Sequence, residues 1–599
     1  MTKTNALTLV KNLWPNFFSR ISSSKFGMLI LAFFLYLSIS ILYWIPPTIH
    51  SFKTEVIAVD TSGDPGTYIW FLAWWTHAFK HWTNPFYTNM IWAPTGVGLA
   101  WDGHLMPTAG IFLAPITRIW GPIVSYNFLT ILSPPLAAIG TFLLVRSLMC
   151  GFFGSLIAGY IFGFSSYELA QLLGHLNLDT IFILPFAVFL AVLFFQNRIS
   201  NLYFVLGMSI CLTIQFGLSI EIYATASFFG FVSWLVAYLM FGKKIKNELR
   251  RLLKYSAISY VSSSLVISPY LYYLLLQLRE TPKIFNSPSI YSADLLNFFI
   301  PTPITWIGGD YLMAITQRFT GNYVEDGAYL GILTLILMLY VIGNHTATKV
   351  RFLAIITGII FMASLGPYIH FAGVKMLPSL WWPFTHIPIL RQALPTRFTL
   401  FISFLVAITT ALWIKESPHK FLTYSLSIAA VLSLVPNLHQ HQWWSSKKVN
   451  VPAFFQPNNY QHILKKNENV LILPFNPQPG VNTMLWQVID HWYFRVAGGF
   501  TQYVPPSFQN WPVLSTFYSE QPIPQFRKNM LCFLRGNQIT TLIVAGPDQK
   551  SWRRLLLRTD IGEEKIFGRI TYYQVKRNQL IPDDDCGSTT NDRGLLPKN

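Results

Sequence analysis

Two carboxylates, Asp60 and Asp64, follow the first long apolar segment of the chain. The Pro65-Gly66 pair predicts a turn here, and a tryptophan-rich apolar run with helical spacing follows it. Indole rings favour the headgroup level of a bilayer, so this run is typical of an interfacial helix. A carboxylate at the start of such a helix would lie between water and lipid. It could act there as a general base or merely cap the helix, and the local sequence favours neither.

The composition is that of an integral membrane protein. Of 599 residues, 52% are hydrophobic and only 11% are charged, whereas soluble proteins carry about 25% charged residues. The net charge is +18, and most of the basic residues in the membrane part, 16 of the 25 Lys and Arg before residue 437, lie in short connections on one side of the predicted membrane. This distribution is the positive-inside pattern, so we expect no nucleic-acid partner. The four cysteines have no metal-site spacing, and a Cys532–Cys586 disulfide and free thiols are equally compatible with the sequence.

Apolar runs predict about eleven transmembrane helices, an all-α polytopic bundle over residues 1–436. The first run is 26–45, and its basic N-terminal flank places the N-terminus in the cytoplasm and the loop 46–104 outside. The other predicted spans are 122–145, 151–167, 179–196, 201–218, 219–241, 255–276, 327–343, 351–366, 397–414 and 420–436.

The composition changes at about residue 437, where span-length apolar runs stop. Strand-like stretches at 469–475, 539–545 and 569–575, separated by turns, predict a soluble α/β domain over 437–582. An odd number of spans places this domain outside the membrane. The polar tail 583–599 is expected to be disordered.

The acidic residues of the membrane part lie mostly on the outer side. Of the 14 before residue 437, all but two are predicted there, although acidic residues do little to set topology. The asymmetry therefore indicates chemistry at the outer leaflet. Placing the carboxylate of Glu221 near the start of a span costs free energy unless the side chain faces a wet cavity or a partner. His175 and Asn177 are further candidates, although an interfacial histidine and a helix cap would explain them as well.

Four cationic residues in the predicted external loops, Arg318, His370, Arg391 and Arg397, are candidates for binding a lipid phosphate. A guanidinium group binds phosphate through two parallel hydrogen bonds. Arginines in such loops can also extend their charged groups to the lipid headgroups without binding a substrate. We expect the acids and arginines to meet in one wet pocket. There a carboxylate would take the proton of an acceptor hydroxyl while an arginine or a metal offsets charge on a leaving phosphate.

The stretch Asp64-Pro65-Gly66-Thr67-Tyr68 resembles the Asp-x-x-x-Tyr site of the GT-C superfamily of membrane glycosyltransferases, which use polyprenyl-phosphate-linked sugars. The resemblance implies an inverting hexosyl- or pentosyltransferase, with Asp64 as base, Asp60 as second choice and Tyr68 in the substrate site. Its partners would be a lipid-linked sugar donor, membrane lipids and a glycan or lipid acceptor. The adjacent pair of acids common in that superfamily is absent, because Pro65 follows Asp64, so the sequence assigns no metal and leaves a divalent cation open.

The chain is also similar to bacterial multi-pass membrane proteins in short stretches that occur in the same order, among them Gly174-His175-Leu176-Asn177 and Leu394-Pro395-Thr396-Arg397-Phe398. The resulting hypothesis is a glycosyltransferase of the bacterial inner membrane that acts at the periplasmic face. The alternatives are a transporter or flippase of lipid-linked glycans and a non-catalytic assembly protein. A transporter would place polar residues at mid-membrane on broken helices and show an internal repeat, and neither pattern is evident.

Overall fold

The structure, a computed structural model, describes residues 25–48, 51–280, 286–331, 334, 348–387, 390–440, 444, 446–456, 458–475, 478, 481–546, 549–576 and 586. The chain divides into two compact units. The first unit comprises Met1–His50, Phe128–Val266 and Asn286–Ser445. The second comprises Ser51–Asn127, Ile267–Phe285 and Ser446–Asn599, so it joins the first loop to the C-terminal part of the chain. Most of the predicted disordered tail lies outside the described residues.

The first unit is almost entirely helical. Its helices are α1 (Lys25–Thr48), α5 (Pro122–Ser147, from Phe128 on), α6 (Phe152–Gly163), α7 (Ser166–Gln171), α8 (Leu176–Asp179), α9 (Ile183–Phe195), α10 (Asn201–Leu218), α11 (Ile220–Met240), α12 (Lys243–Val266), α14 (Met313–Thr316), α15 (Thr348–Ser364), α16 (Thr399–Glu416) and α17 (Lys420–Ser433). A hairpin of β4 (Tyr368–Phe371) and β5 (Val374–Pro378) lies between α15 and α16.

Small residues let the central helices of the first unit pack closely. Gly159 and Gly163 lie one turn apart on α6, and a Cβ atom there would lie 2.7 Å from the Ala138 carbonyl oxygen and 2.5 Å from that of Pro134, both on α5. The rings of Phe162 and Phe404 join α6 to α16 with 4.9 Å between centroids. Small residues four apart are a common way for helices to associate in lipid, where the hydrophobic effect does not hold them together.

The second unit combines helices with a five-stranded sheet. Before the sheet come β1 (Glu55–Ile57), α2 (Asp64–His81), β2 (Tyr87–Thr88), β3 (Val97–Gly98), α3 (Pro107–Phe112), α4 (Ala114–Trp120), α13 (Ser268–Gln277) and β6 (Ser446–Lys448). The sheet and its helices are β7 (Asn469–Leu473), α18 (Thr483–Ile489), β8 (Arg495–Val496), α19 (Pro506–Gln509), α20 (Leu514–Ser519), α21 (Phe526–Gly536), β9 (Ile539–Val544), α22 (Gln549–Leu557), β10 (Glu564–Phe567) and β11 (Ile570–Gln574).

The strand order in this sheet is β10-β11-β9-β7-β8. Strand β7 pairs in parallel with both β9 and β8, and β11 joins β9 antiparallel. All five residues of β7 are buried, as expected for an apolar strand with cover on both faces. Strand β1 pairs antiparallel with β6, which ties the first loop to the C-terminal part of the second unit.

Six described helices are long and apolar enough to cross a membrane, or seven if α12 and α13 form one broken span. They are Phe26–Trp44, Pro122–Ser147, Leu176–Phe195, Asn201–Leu218, Ile220–Met240 and Pro395–Glu416. The chain is thus a mostly helical, multi-pass membrane protein. The predicted spans 151–167, 351–366 and 420–436 correspond to helices of 12, 17 and 14 residues, and most of the predicted span 327–343 lies outside the described part.

Candidate functional site

The sequence places Asp64 at the first position of α2. Gly63 precedes it with φ of 65°, a left-handed conformation that favours glycine, and Pro65 follows at a position where its missing N–H costs nothing. Gly66 lies so close to α18 that a Cβ atom would be 1.6 Å from Nδ2 of Asn482. Trp70 on α2 donates from Nε1 to Oε1 of Gln487 at 2.9 Å. These contacts hold the start of α2 against α18 within the second unit.

The carboxylate of Asp64 is one end of a chain of three side chains. Nε2 of His104 lies 3.2 Å from Oδ1 of Asp64, and Nδ1 of the same ring lies 2.6 Å from Oδ1 of Asp102. The backbone N–H groups of His104 and Gln502 donate to the two oxygens of Asp102 at 3.0 and 3.2 Å. The ring of His104 is therefore oriented by one carboxylate and presents its other nitrogen to a second.

Asp64, His104 and Asp102 differ in charge and in exposure. Burial opposes a charge on His104, but Asp102 and Asp64 outweigh it and raise the pKa of His104 to about 10. The imidazole is then protonated at neutral pH and donates to both carboxylates. Its side chain is 7% exposed and that of Asp102 is 1% exposed, whereas that of Asp64 is 33% exposed. Asp64 is thus the most exposed of the three side chains.

The other two residues predicted in this loop occupy different positions. Asp60 folds back on the turn, where Oδ1 accepts from the backbone N–H of Thr61 at 2.6 Å and Oδ2 accepts from the hydroxyl of Ser62. Tyr68 lies one turn after Asp64 and is buried, with its ring centroid 4.5 Å from that of His104. The structure therefore brings Tyr68 to the Asp64–His104 pair and places Asp60 in a local turn.

A second charged cluster lies in the first unit around Arg397. The guanidinium group binds Glu325 through two parallel contacts, Nε to Oε2 at 3.0 Å and Nη2 to Oε1. It also donates from Nη1 to Oε2 of Glu221 at 2.5 Å. The side chains of Arg397 and Glu325 are 16% and 3% exposed. Burial raises the pKa of Glu325, but Arg397 outweighs burial and holds it below its ordinary value. Two carboxylates thus balance this guanidinium group.

His175 and Asn177 lie beside this cluster at the start of α8. Nδ1 of His175 is 2.7 Å from Oε1 of Gln171 and 3.7 Å from Oε1 of Glu325. Asn177 is buried in α8. Glu168, on α7, is fully buried, and burial together with Asp179 raises the pKa of its carboxyl well above the ordinary value. The first unit therefore contains a polar interior that includes two of the predicted residues. His175 lies near Glu325, and Glu221 binds Arg397.

Arg318 and His370 lie apart from that cluster in the contacts among the described residues. Arg318 is exposed in the segment after α14. His370 is buried on β4, where its backbone forms an isolated parallel β-bridge with that of Asp294. Burial lowers the pKa of His370. The side chain of Arg391 lies outside the described part.

Sequence reasoning passed over Asp102, His104 and Glu325 as site residues. The spacing in Asp102-Gly103-His104 could have indicated the Asp102–His104 contact, because an aspartate two residues before a histidine can accept a hydrogen bond from Nδ1 of its ring. The pairing of Glu325 with Arg397 has no local signal. Among the described residues no group of three or more His, Cys, Asp and Glu side chains is arranged to hold a metal ion, so no residues are assigned to a divalent cation.

Comparison with solved structures identifies the architecture. Arabinofuranosyltransferase AftD from Mycobacteria superposes with a TM-score of 0.61 at 14% identity, over 92% of this chain and 40% of AftD. ArnT from Cupriavidus metallidurans, solved with undecaprenyl phosphate, gives 0.52 at 9% identity, over 93% of this chain and 100% of ArnT. This chain has the GT-C fold.

A third GT-C protein is the archaeal oligosaccharyltransferase AglB from Archaeoglobus fulgidus, solved with an inhibitory peptide and a dolichol-phosphate. Its TM-score is 0.51 at 11% identity, over 87% of this chain and 70% of AglB. The chain spans less than half the length of AftD. No protein-family model matches the chain, and no curated protein does. At these identities the similarity establishes the fold alone.

Proposed function

We propose that this protein is a membrane glycosyltransferase that moves a sugar from a polyprenyl-phosphate donor to a hydroxyl group of a lipid-linked or cell-envelope acceptor. The observation that carries the proposal is the carboxylate of Asp64, accessible at the start of α2 and held by a protonated His104. The GT-C fold supports it. ArnT and AglB were solved with polyprenyl-type phosphates, and this chain would take a donor of the same class.

In the proposed reaction Asp64 accepts the proton of the acceptor hydroxyl as that oxygen attacks the anomeric carbon of the donor sugar. The bond from this carbon to the phosphate oxygen breaks, its electron pair leaves with the polyprenyl phosphate, and the configuration inverts. The protonated His104 donates to Oδ1 of Asp64 at 3.2 Å and so holds the carboxylate at the start of α2. The charge-assisted hydrogen bond also fixes the direction in which the carboxylate points.

The leaving phosphate needs a cation, and the arginines differ in their suitability. Arg397 is already bound to Glu325 and Glu221, so a phosphate would have to displace one of them. Arg318 is exposed, which leaves its guanidinium group accessible. We therefore assign the phosphate contact to Arg318 or Arg391 and a structural role to Arg397. His175, Asn177 and His370 remain proposed substrate contacts.

The proposed topology has about eleven spans, a cytoplasmic N-terminus and a periplasmic α/β domain over 437–582, in the bacterial inner membrane. The disulfide between Cys532 and Cys586 supports this placement, because disulfides persist in oxidising compartments such as the periplasm.

The test is the variant Asp64→Asn in the full-length protein, purified in lipid nanodiscs. It is supplied with a panel of polyprenyl-phosphate sugars and envelope lipids, and release of polyprenyl phosphate is measured. Loss of a general base typically lowers the rate about 10²–10⁴-fold. Asp560→Asn, an exposed aspartate of the second unit, is the matched control and should keep full activity. Transfer by Asp64→Asn at the rate of the unaltered protein would overturn the proposal.

A further inference from the structure

A cleft lies beside Asp64 within the second unit. Gly63 and Thr67, on either side of Asp64 at the start of α2, form one wall. The start of α18, including Thr483, and the segment 498–500 form the rest, together with residues that end β7 and β8. The enclosed space is small, about 30 Å³, and the cleft is open to solvent, so a ligand would lie across its mouth.

The position of the cleft in the sheet is one where ligands bind in many α/β folds. Strand β7 is the first strand of its sheet, and the later strands β8 and β9 lie on opposite sides of it. The chain therefore reverses its direction of winding around β7. Ligands of open α/β sheets bind outside the carboxyl ends of the strands at such a reversal. The cleft lies outside the carboxyl ends of β7 and β8.

The lining indicates a neutral ligand. Among the described residues that line the cleft none is charged, and phosphate recognition usually relies on arginine or lysine. Two aromatic rings, Phe475 and Phe500, face it together with the backbone of Gly498 and Gly499 and the hydroxyl-bearing Thr483. A Cβ atom at Gly498 would lie 2.7 Å from the Phe475 ring, so any larger residue at position 498 would clash with this ring. Aromatic faces beside a few polar groups suit the alternating C–H and O–H surfaces of a carbohydrate.

Phe500 lies between the cleft and the Asp64–His104 pair. The ring of Phe500 lies 4.0 Å from where a Cβ atom of Gly63 would be, and its centroid is 6.5 Å from that of the His104 ring. A sugar stacked on Phe500 would thus lie next to the residue that must receive the acceptor proton.

We infer that this cleft binds the carbohydrate part of the acceptor and that residues 475, 483 and 500 set acceptor specificity. The inference rests on the proposed function, because it takes Asp64 as the base. It gives the C-terminal part of the chain a direct role in substrate selection. The cleft would recognise a neutral glycan, and the donor phosphate would not bind there.

The experiment measures binding separately from transfer. The full-length protein in nanodiscs is titrated with neutral arabino-, gluco-, manno- and galacto-oligosaccharides, and binding is followed by saturation-transfer NMR. At least one probe should bind to the unaltered protein. Phe500→Ala removes the stacking ring and Thr483→Trp fills the cleft, so each should weaken binding five- to tenfold or more. Phe567→Ala, on the far edge strand β10, is the matched control and should bind as the unaltered protein does.

The outcomes separate this inference from the proposed function. Asp64→Asn should lose transfer and keep saccharide binding, because Asp64 acts on the bound acceptor. Absence of binding for every saccharide of the panel would overturn the inference even where Asp64→Asn abolishes transfer. Binding that Phe500→Ala and Thr483→Trp leave unchanged, in variants that melt at the same temperature as the unaltered protein, would overturn it as well.

Discussion

His104 donates from Nε2 to Oδ1 of Asp64 across 3.2 Å, and both residues belong to the second unit. The contact is notable because the donor is almost completely buried and the acceptor is one-third exposed. A buried cation thus orients a carboxylate that is open to solvent. We propose that His104 positions Asp64 for the transfer reaction, which would affect both the pH dependence and the rate.

The first prediction concerns pH. The pKa of His104 is raised to about 10, so the folded protein keeps a proton that the unfolded chain loses above pH 6.5. The stability from this group is complete below pH 6.5 and is lost as pH rises to 10. The free energy of unfolding should therefore fall by up to about 1.4 kcal/mol per pH unit in this window. Thermal unfolding in detergent measures it, and His104→Gln should reduce the slope by this amount.

In the transfer assay His104→Gln should lower kcat and leave KM for the acceptor unchanged, because it changes the orientation of Asp64 and leaves the acceptor contacts intact. A purely structural histidine would instead change the amount of folded protein and leave kcat per folded molecule as it was.

The second prediction separates Asp60 from Asp64. Asp60 accepts hydrogen bonds from Thr61 and Ser62 within its own turn, so Asp60→Asn should weaken that turn and leave the chemistry in place. We expect a loss of about 0.5–2 kcal/mol of stability, as for other local side-chain contacts to backbone, with kcat within about threefold of the unaltered protein. Steady-state kinetics with a melting curve measure both. A loss of kcat as large as that of Asp64→Asn would make Asp60 the base.

The third prediction tests the structural role of Arg397. Removing one partner of a buried ion pair costs about 3–5 kcal/mol, because the other charge is left buried. Arg397→Gln and Glu325→Gln should each lower the melting temperature strongly. The double variant should lose less than the sum, with a coupling of about 0.5–3 kcal/mol. Additive effects, or a rise in donor KM at unchanged stability, would instead favour phosphate binding by Arg397.

The fourth prediction concerns Asp490, at the C-terminal end of α18. It is buried, and neither carboxylate oxygen has a hydrogen-bond partner among the described residues. Burial raises the pKa of Asp490 to about 8. The folded state then keeps a proton that the unfolded chain loses near pH 4, so stability falls as pH rises from 4 to 8. Asp490→Asn should match the unaltered protein at pH 4 and exceed its stability at pH 9 by about 1–3 kcal/mol. Equal melting temperatures at pH 9 would contradict this.

The sequence predicted those features whose signals are local. The turn at Pro65-Gly66 and the helix after it depend on residues within a few positions of each other, and the apolar spans depend on summed hydropathy. The GT-C fold that the resemblance implied was confirmed by the solved structures, whereas the predicted number of spans was not.

The features that were missed depend on residues distant in the chain. His104 reaches Asp64 only because the loop after α2 returns to the start of that helix. Arg397 meets Glu325 across a separation of 72 residues, and no local pattern pairs a predicted phosphate ligand with an acid. Tertiary pairing of charges has no periodicity, so pattern analysis cannot find it.

The pairing of β1 with β6 delays completion of the second unit until late in synthesis. Glu55 faces Lys448, so the edge partner of β1 leaves the ribosome hundreds of residues after β1 itself. Until then the segment that carries Asp64 lacks its strand partner, Gln487 for Trp70 and Asn482 at Gly66. Contacts so distant in sequence form late in folding. A chain that ends before residue 446 therefore lacks the contacts that hold the start of α2.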